Sequence, residues 1–385
     1  MPSVLVFGEY GVRNGGENSF LATIPFLNAA GWEVMAAVPS DSEFSRALVD
    51  AGATVHPLWL KGLAGNRLSQ EQIRSALASL IGEVSPDLVH ANSLSMSRLL
   101  GPVAQELNIP SLGHIRDIIK CSAKAIADIN CLDRIIAVSA ATANFHESNG
   151  VDKGKLRVVH NGVDLDRFQP PATRHVDEGP VSGIREEFQL SSTSFLAICI
   201  GQIGMRKGVE SVFEAMQEPI AKHDDVHLLL VGERHSQKAE AIEYEDRLHE
   251  ISQHFPSGRV HWLGRRDDVD RLLRECNLLV HMPRQEPLGR VLLEAAASGL
   301  PMVTTDVGGT REILLGLERM IVPVADNYRN CFDFDSLYAD KQLYNELSKQ
   351  LRTLAVENFA DRFAGQNLAK QYNDCLLYTS PSPRD

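Results

Sequence analysis

Short apolar runs alternate with stretches of helical pattern along nearly the whole chain. Runs at residues 4–8, 34–38, 54–57, 88–91, 111–114, 134–138 and 157–160 predict strands, and helical spacing or turn residues fill the gaps between them. A second series follows at 195–201, 227–232, 260–263, 278–282, 301–305 and 320–322. Strands that alternate with helices in this way predict parallel, doubly wound sheets, here two of them. Between the two series, residues 169–187 are rich in Pro, Gly and charge and read as an interdomain linker. Two further helical segments are predicted at 340–354 and 362–374.

One stretch of this alternation carries chemistry. Asn277-Leu278-Leu279-Val280-His281-Met282 predicts a buried strand ended by Pro283, and residues 289–298 favour a helix that Gly299 is placed to close. Residues 300–305 predict the next strand. Glu286 therefore falls at the carboxyl end of a strand and just before a helix N-terminus. Open α/β sheets bind ligands there, and the backbone N–H groups and helix dipole favour anions. Glu294 follows about two turns along the same face, roughly 12 Å of rise. Two carboxylates so placed suit two hydroxyl-rich parts of one elongated ligand, with a diphosphate on the N–H groups between them. A nucleotide sugar has that layout. With Arg290 between the two acids, the spacing is also that of an ordinary surface ion-pair ladder.

The residues around the pair favour the first reading. Glu286-Pro287-Leu288-Gly289-Arg290-Val291-Leu292-Leu293-Glu294-Ala295 is followed by Gly299-Leu300-Pro301 and by Thr305-Asp306-Val307-Gly308-Gly309-Thr310-Arg311-Glu312. Together they closely resemble the signature of the family-4 retaining glycosyltransferases of the GT-B fold. The resemblance implies an α/β chain of two Rossmann-like domains facing a central cleft. It implies an acceptor-side domain over 1–168, a linker over 169–190 and a nucleotide-sugar domain over 191–354, then a helix within 355–374 crossing back to the first domain. Glu286 is then expected on the hexose hydroxyls and Glu294 on the ribose. The backbone of Leu288, Gly289 and Arg290, beside Pro287, is expected on the phosphates.

Other stretches carry the resemblance further. Ile200-Gly201-Gln202-Ile203-Gly204-Met205-Arg206-Lys207-Gly208 is similar to the loop in which the family sets an Arg and a Lys against the donor diphosphate. Lys207 matches, but Gln202 stands where the Arg is usual, which leaves Arg206 or Gln202 itself to make up the difference. Two cations there would offset the charge on the leaving diphosphate in place of a metal. Gly15-Gly16-Glu17-Asn18 resembles the family's Gly-Gly loop, assigned to the diphosphate or the acceptor. His114, in His114-Ile115-Arg116-Asp117, matches a histidine that contacts the transferred sugar or shapes the acceptor site, and Asn92 and Arg116 are candidates for the same wall. Glu233 and Arg265 stand at strand ends near the expected ribose and base. Ser139 is expected to cap the helix that follows it.

Composition narrows the alternatives. The chain has 385 residues, is 44% hydrophobic and 23% charged, and carries a formal net charge of −12, which argues against a general nucleic-acid surface. No apolar run approaches the 18 or so residues that would span a bilayer, and the start lacks a basic n-region, so a cytoplasmic protein is expected. The six cysteines show no C-x-x-C spacing, suggest no metal site and read most simply as buried small apolar residues. Gly8, Gly11, Gly15 and Gly16 do not form G-x-G-x-x-G, which disfavours a dinucleotide-dependent dehydrogenase. The end of the chain, from Cys375 to Asp385, resembles translated sequencing adapter and is expected to be disordered.

The expected donors are UDP-, GDP- or ADP-sugars, with no cofactor or metal, and the expected acceptor is a glycan, a lipid-linked sugar or a small molecule. Two competing readings are a nucleotide-sugar 2-epimerase-like enzyme and a non-catalytic nucleotide-sugar-binding subunit. Lys61, Arg67, Arg74, Lys120 and Lys124 would allow a peripheral contact with the inner face of a membrane, although sparse cations of this kind are ordinarily solvated surface.

Overall fold

Seven strands form the first sheet: β1 Ser3–Phe7, β2 Glu33–Val38, β3 Thr54–Pro57, β4 Leu88–Ala91, β5 Ser111–Ile115, β6 Arg134–Ala137 and β7 Leu156–Val158. All pair in parallel, in the order β3-β2-β1-β4-β5-β6-β7, with Leu5 opposite Met35 on one side and Val89 on the other. Six strands form the second: β8 Phe195–Ile200, β9 Val226–Val231, β10 Val260–Gly264, β11 Leu278–His281, β12 Met302–Thr305 and β13 Ile321–Val322. Their order is β10-β9-β8-β11-β12-β13, again all parallel. Each apolar run that predicts a strand forms one, within a residue or two of the expected ends. The computed structural model describes residues 1–62, 65–171 and 183–379.

The central strands are mainly apolar because both faces of each sheet are covered there, and the edge strands β3 and β7 are more exposed. Leu5, Phe7, Met35 and Val89 enter the core on one face of the first sheet, and Val4, Val6, Val34 and Leu88 enter the core on the other. Strand order reverses between β1 and β4 in the first sheet and between β8 and β11 in the second. At such a reversal neighbouring connections leave on opposite faces, which opens a crevice at the carboxyl ends of the two strands. The loops after β1, β4, β8 and β11 are therefore the places to look for a site.

The chain divides into two compact units, Met1–Gly162 with Asp361–Asp385, and Val163–Ala360. The last helix, Asp361–Thr379, thus belongs to the first unit. Tyr372 on it is fully buried, Trp32 Nε1 donates to Asn373 Oδ1 at 3.1 Å, and Arg134 Nη1 donates to Gln371 Oε1 at 2.8 Å. Close approach of this helix uses glycine. A Cβ on Gly365 would meet the Phe26 side chain at 2.4 Å, and one on Gly162 would meet Asp361 Cα at 2.5 Å.

Three expectations change. The second unit begins at Val163 rather than after residue 168, because Val163 N donates to Phe359 O at 2.8 Å and Arg352 Nη1 donates to Phe168 O at 2.8 Å. The linker was expected to run to residue 190, but from Gly183 onward the chain is packed: Ile184 is fully buried, and the buried Arg185 guanidinium holds Ser194 O and Asn277 Oδ1. Residues 172–182 lie outside the described residues. The tail is not disordered from Cys375. The helix continues to Thr379 because Leu368, Tyr372 and Cys375 repeat on one apolar face, and Cys375 is 1% exposed. Residues 380–385 lie outside the described residues. No helix among the described residues is long and apolar enough to cross a membrane.

Candidate active site

At the reversal point of the second sheet, the loops after β8 and β11 are locked together by backbone. Arg284 N donates to Arg206 O at 2.9 Å, and Gly208, at φ +60°, lies where a Cβ would come within 2.1 Å of Met282 O. The loop after β12 closes on the same place. Gly309 N donates to Glu286 O at 3.1 Å, and a Cβ on Gly308, at φ +54°, would sit 1.7 Å from that oxygen. Thr305 Oγ1 donates to Pro283 O at 2.5 Å. These contacts fix the path of residues 283–289.

Two candidates meet inside this frame. Lys207, at the end of the short 3₁₀ turn Met205–Lys207, places Nζ 2.5 Å from Glu286 Oε2. Glu286 is only 6% exposed, and His281, the last residue of β11, approaches the same oxygen with Nε2 at 3.1 Å. A carboxylate only accepts, so His281 donates from Nε2. Burial pulls the Glu286 carboxyl upward, but the Lys207 charge and the His281 hydrogen bond outweigh it and hold it well below the usual carboxylate range. Burial also lowers His281, against the pull of Glu286, which leaves it neutral at pH 7. His281 was read from sequence only as part of a buried strand. Its signal was positional: a polar residue closing an apolar run at the carboxyl edge of a sheet.

The helix after Glu286 runs Arg290–Ala297 and is entered through Gly289 at φ +99°, with no side-chain cap. Leu292 N donates back to Gly289 O at 3.0 Å, and an anion at this helix start would meet the positive end of its dipole. Because the helix starts at Arg290, Glu286 and Glu294 do not share one helical face, and the ladder through both acids does not form. Arg290 Nη2 donates to Glu294 Oε1 at 3.2 Å, while Glu286 turns to Lys207 and His281. Pro287, Leu288 and Gly289 lie in the loop beside them. Gln202 and Arg206 are exposed on the loop after β8. Glu233 follows β9 and Arg265 follows β10, both exposed, and Arg265 Nε lies 3.7 Å from Asp267.

The first unit gathers its own candidates at its reversal point. Asn92, just past β4, is tied to the end of β1 by its N–H on Phe7 O at 3.0 Å. Arg116 donates from Nη2 to Asn92 Oδ1 at 2.8 Å and from Nη1 to Asn161 Oδ1 at 3.0 Å. Its Nη2 also lies 3.1 Å from Nδ1 of His114, which sits within β5 and is 4% exposed. A guanidinium only donates, so His114 Nδ1 accepts and its proton sits on Nε2. That Nε2 is buried and has no hydrogen-bond partner among the described residues. His114 stacks on His90, with ring centroids 5.7 Å apart, and His90 Nδ1 meets Tyr372 OH at 2.7 Å. Burial, then the Arg116 charge, holds His114 well below the usual histidine range.

Gly15 and Gly16 open the helix Gly15–Leu21, where a Cβ on Gly16 would meet Arg116 Cδ at 3.0 Å. Ser139 does cap its helix, accepting from Thr142 N at 3.0 Å. Among the described residues no three His, Cys, Asp or Glu side chains are grouped as metal ligands.

Residues 182–352 match the family model for glycosyl transferases group 1, and residues 13–167 match the model for glycosyltransferase family 4. The chain is a family-4-like glycosyltransferase of the GT-B fold. It is 26% identical over 227 residues to spore coat protein SA of Bacillus subtilis (strain 168), covering 57% of this chain and 59% of that one. It is 27% identical over 242 residues to N-acetyl-alpha-D-glucosaminyl L-malate synthase of Bacillus anthracis, covering 62% and 58%. The chain thus spans about three fifths of the length of these relatives. HepE of Anabaena, solved in complex with UDP-glucose, superposes with a TM-score of 0.80 at 19% identity over 97% of this chain and 99% of that one.

Proposed function

We propose that this glycosyltransferase moves a hexose from a nucleotide-diphosphate sugar to a glycan, lipid-linked or small-molecule acceptor, with retention at the anomeric carbon, without a metal, in the cytoplasm. The observation that carries the reading is the Lys207–Glu286 pair, its carboxylate buried and its ammonium partly exposed, at the reversal point of the second sheet, beside a helix start that no side chain caps. A diphosphate arriving there meets first-turn amides and competes for the Lys207 ammonium. As Lys207 turns to phosphate, the Glu286 carboxylate is freed for hexose hydroxyls, and His281 keeps it oriented. Glu294 is read as the ribose partner and Arg206 as the second cation, in the place of the family's arginine at Gln202. The bond from C1 to the leaving phosphate oxygen breaks, the acceptor oxygen bonds C1 on the same face, and its proton passes to that phosphate oxygen. His114 Nε2–H is read as a donor to the sugar or the acceptor.

HepE, crystallised with UDP-glucose, makes UDP-sugars the first donors to try. Thermal shift with UDP-, GDP- and ADP-sugars tests donor binding; a ligand at a hundred times its dissociation constant adds roughly 2.7 kcal/mol of stability. NMR of the product then gives its anomeric configuration, and EDTA is expected to leave turnover unchanged. Epimer formation without transfer, binding without turnover, or a shift only with NAD(P)H would each replace the proposal.

A further inference from the structure

The first unit holds a cavity of about 330 Å³ apart from the candidates described above. Its lining comes from the loop after β1, the start of the helix Leu94–Leu107 and the segment that follows β5. Tyr10, Leu94 and Ile119 give it an apolar side, and Tyr10 and Ile119 are about half exposed, at 49% and 54%. Arg98, Lys120 and Asp117 supply its charges, two cations against one carboxylate, on a protein whose net charge is −12. Arg98 and Lys120 form no ion pair among the described residues, and Arg98 Nε is buried with no hydrogen-bond partner there. Sequence alone treated Lys120 as solvated surface. The fold brings it and Arg98 to one concavity, from elements more than twenty positions apart in the chain. The cavity also adjoins the first cluster, since Leu94 lies two residues beyond Asn92 and Asp117 is next to Arg116.

We propose that this cavity seats the acceptor and that Arg98 and Lys120 hold an anionic group on it, a phosphate or a carboxylate. The inference rests on the reading of the chain as a sugar transferase and names the chemical class of the acceptor: an anion beside an apolar portion, with a hydroxyl to be glycosylated. Unpaired cations in a partly enclosed, partly apolar site form stronger contacts with an oxyanion than the same groups do in open water. Asp117, the one acid in the lining, suits a hydroxyl donor. The anion is then anchored in the chain neighbourhood of His114, which orients the acceptor hydroxyl relative to a fixed point.

The test uses the full chain with inorganic phosphate, sn-glycerol 3-phosphate and malonate as soluble probes, and vesicles of phosphatidylcholine with and without phosphatidylglycerol. Titration calorimetry reads the soluble arm and cosedimentation reads the vesicle arm. Arg98→Gln and Lys120→Gln are each expected to weaken binding roughly ten- to a hundredfold, the range for losing a charge-assisted hydrogen bond. Lys124→Gln, four positions on from Lys120, on the helix Ala123–Asn130 and outside the lining, is expected to change it little. Binding of a soluble probe that depends on Arg98 and Lys120 identifies a free anionic acceptor. Dependence seen only with phosphatidylglycerol identifies a lipid headgroup. The proposal is overturned if no probe binds, if both variants bind as the wild type does, or if Lys124→Gln loses as much. Thermal shift with UDP-sugar separates this from failure of the transferase reading, because neither Arg98→Gln nor Lys120→Gln is expected to alter donor binding.

Discussion

The two units carry the same device at the same topological place and wire it differently. Each has a cation at the point where strand order reverses. In the second unit Lys207 faces a buried carboxylate at 2.5 Å, and the carboxylate is braced by a neutral imidazole. In the first unit Arg116 spreads its donors over the amide oxygens of Asn92 and Asn161 and over an imidazole nitrogen of His114. One ammonium on one acid is a contact that a stronger anion can redistribute. A planar guanidinium shared among fixed neutral acceptors is a clasp, and moving it breaks several bonds at once. The second cluster is thus suited to exchange partners during turnover, and the first is suited to hold its shape.

The largest effects should follow from breaking the exchangeable pair. Lys207→Met strips the buried Glu286 of its counter-charge, which should cost about 3–5 kcal/mol in urea unfolding and at least a hundredfold in turnover. Adding Glu286→Gln should recover most of the lost stability, because no uncompensated charge then remains buried, and should recover none of the transfer. Wild-type turnover in either single variant would remove the pair from the mechanism. Glycine substitutions extend the contrast. Gly308→Ala puts a methyl 1.7 Å from a backbone oxygen of Glu286 at φ +54°, and backbone there cannot step aside without moving the acid. Gly16→Ala meets no backbone, only Arg116 Cδ at 3.0 Å, a contact that a shift of a few tenths of an ångström relieves with the guanidinium left on its acceptors. The first should cost about 2 kcal/mol or more and abolish donor binding, and the second should be nearly neutral in stability.

The same contrast shows what the sequence could and could not display. The thirteen strands were legible because they are short, mainly apolar runs between turn and charge signals, buried on both faces in the middle of each sheet and partly open only at edge strands such as β3 and β7. The Glu286 and Lys207 loops were legible from the glycines and charges at strand ends. Their meeting was not, because the two residues lie on connections separated by 79 positions, and only strand order brings those connections together. His281 was hidden inside an apolar run. The helix itself, Arg290–Ala297, falls within the expected 289–298, but the turn through Gly289 at positive φ takes Glu286 off the face of Glu294, which residue spacing does not encode. The helical extension through Cys375 was missed because the Ser-Pro-rich end was weighed as one block. Only docking of Tyr372 and Cys375 against the first sheet separates its start from its finish.

The clasp gives smaller and more specific effects. Arg116→Gln removes the donors to Asn92, Asn161 and His114, and frees Nδ1 of His114 to take up a proton or change tautomer. The expectation is a fall of about ten- to a hundredfold in kcat/KM for the acceptor, with donor binding by thermal shift unchanged. A matching loss of donor affinity would mean that Arg116 acts on the nucleotide rather than on its own unit.

The smallest effect is a slope. His90 is fully buried and is held, by burial and then by the Arg116 charge, at about 3 against an ordinary 6.5. Above 6.5 it is neutral in both the folded and the unfolded chain and contributes nothing to the pH dependence. As pH falls through 6.5 the unfolded chain takes up a proton that the folded chain refuses until about 3, so stability declines over that window. One such group contributes about 1.4 kcal/mol per pH unit. Glu286 differs in its window: its folded value is depressed below 4.5, so its contribution is complete above that value and is lost only below it. His227 and His281 add histidine-type slopes in the second unit, so the informative comparison is between variants rather than between units. His90→Phe with Tyr372→Phe removes one titrating ring without orphaning the hydroxyl it meets. Unfolding free energies measured from about pH 6 to about pH 4 should then fall less steeply than in the wild type, by about 1.4 kcal/mol per pH unit. An unchanged slope would mean that His90 is already charged in the folded chain, and the stacked pair His90–His114 could not then hold the neutral Nε2–H form on which the acceptor side depends.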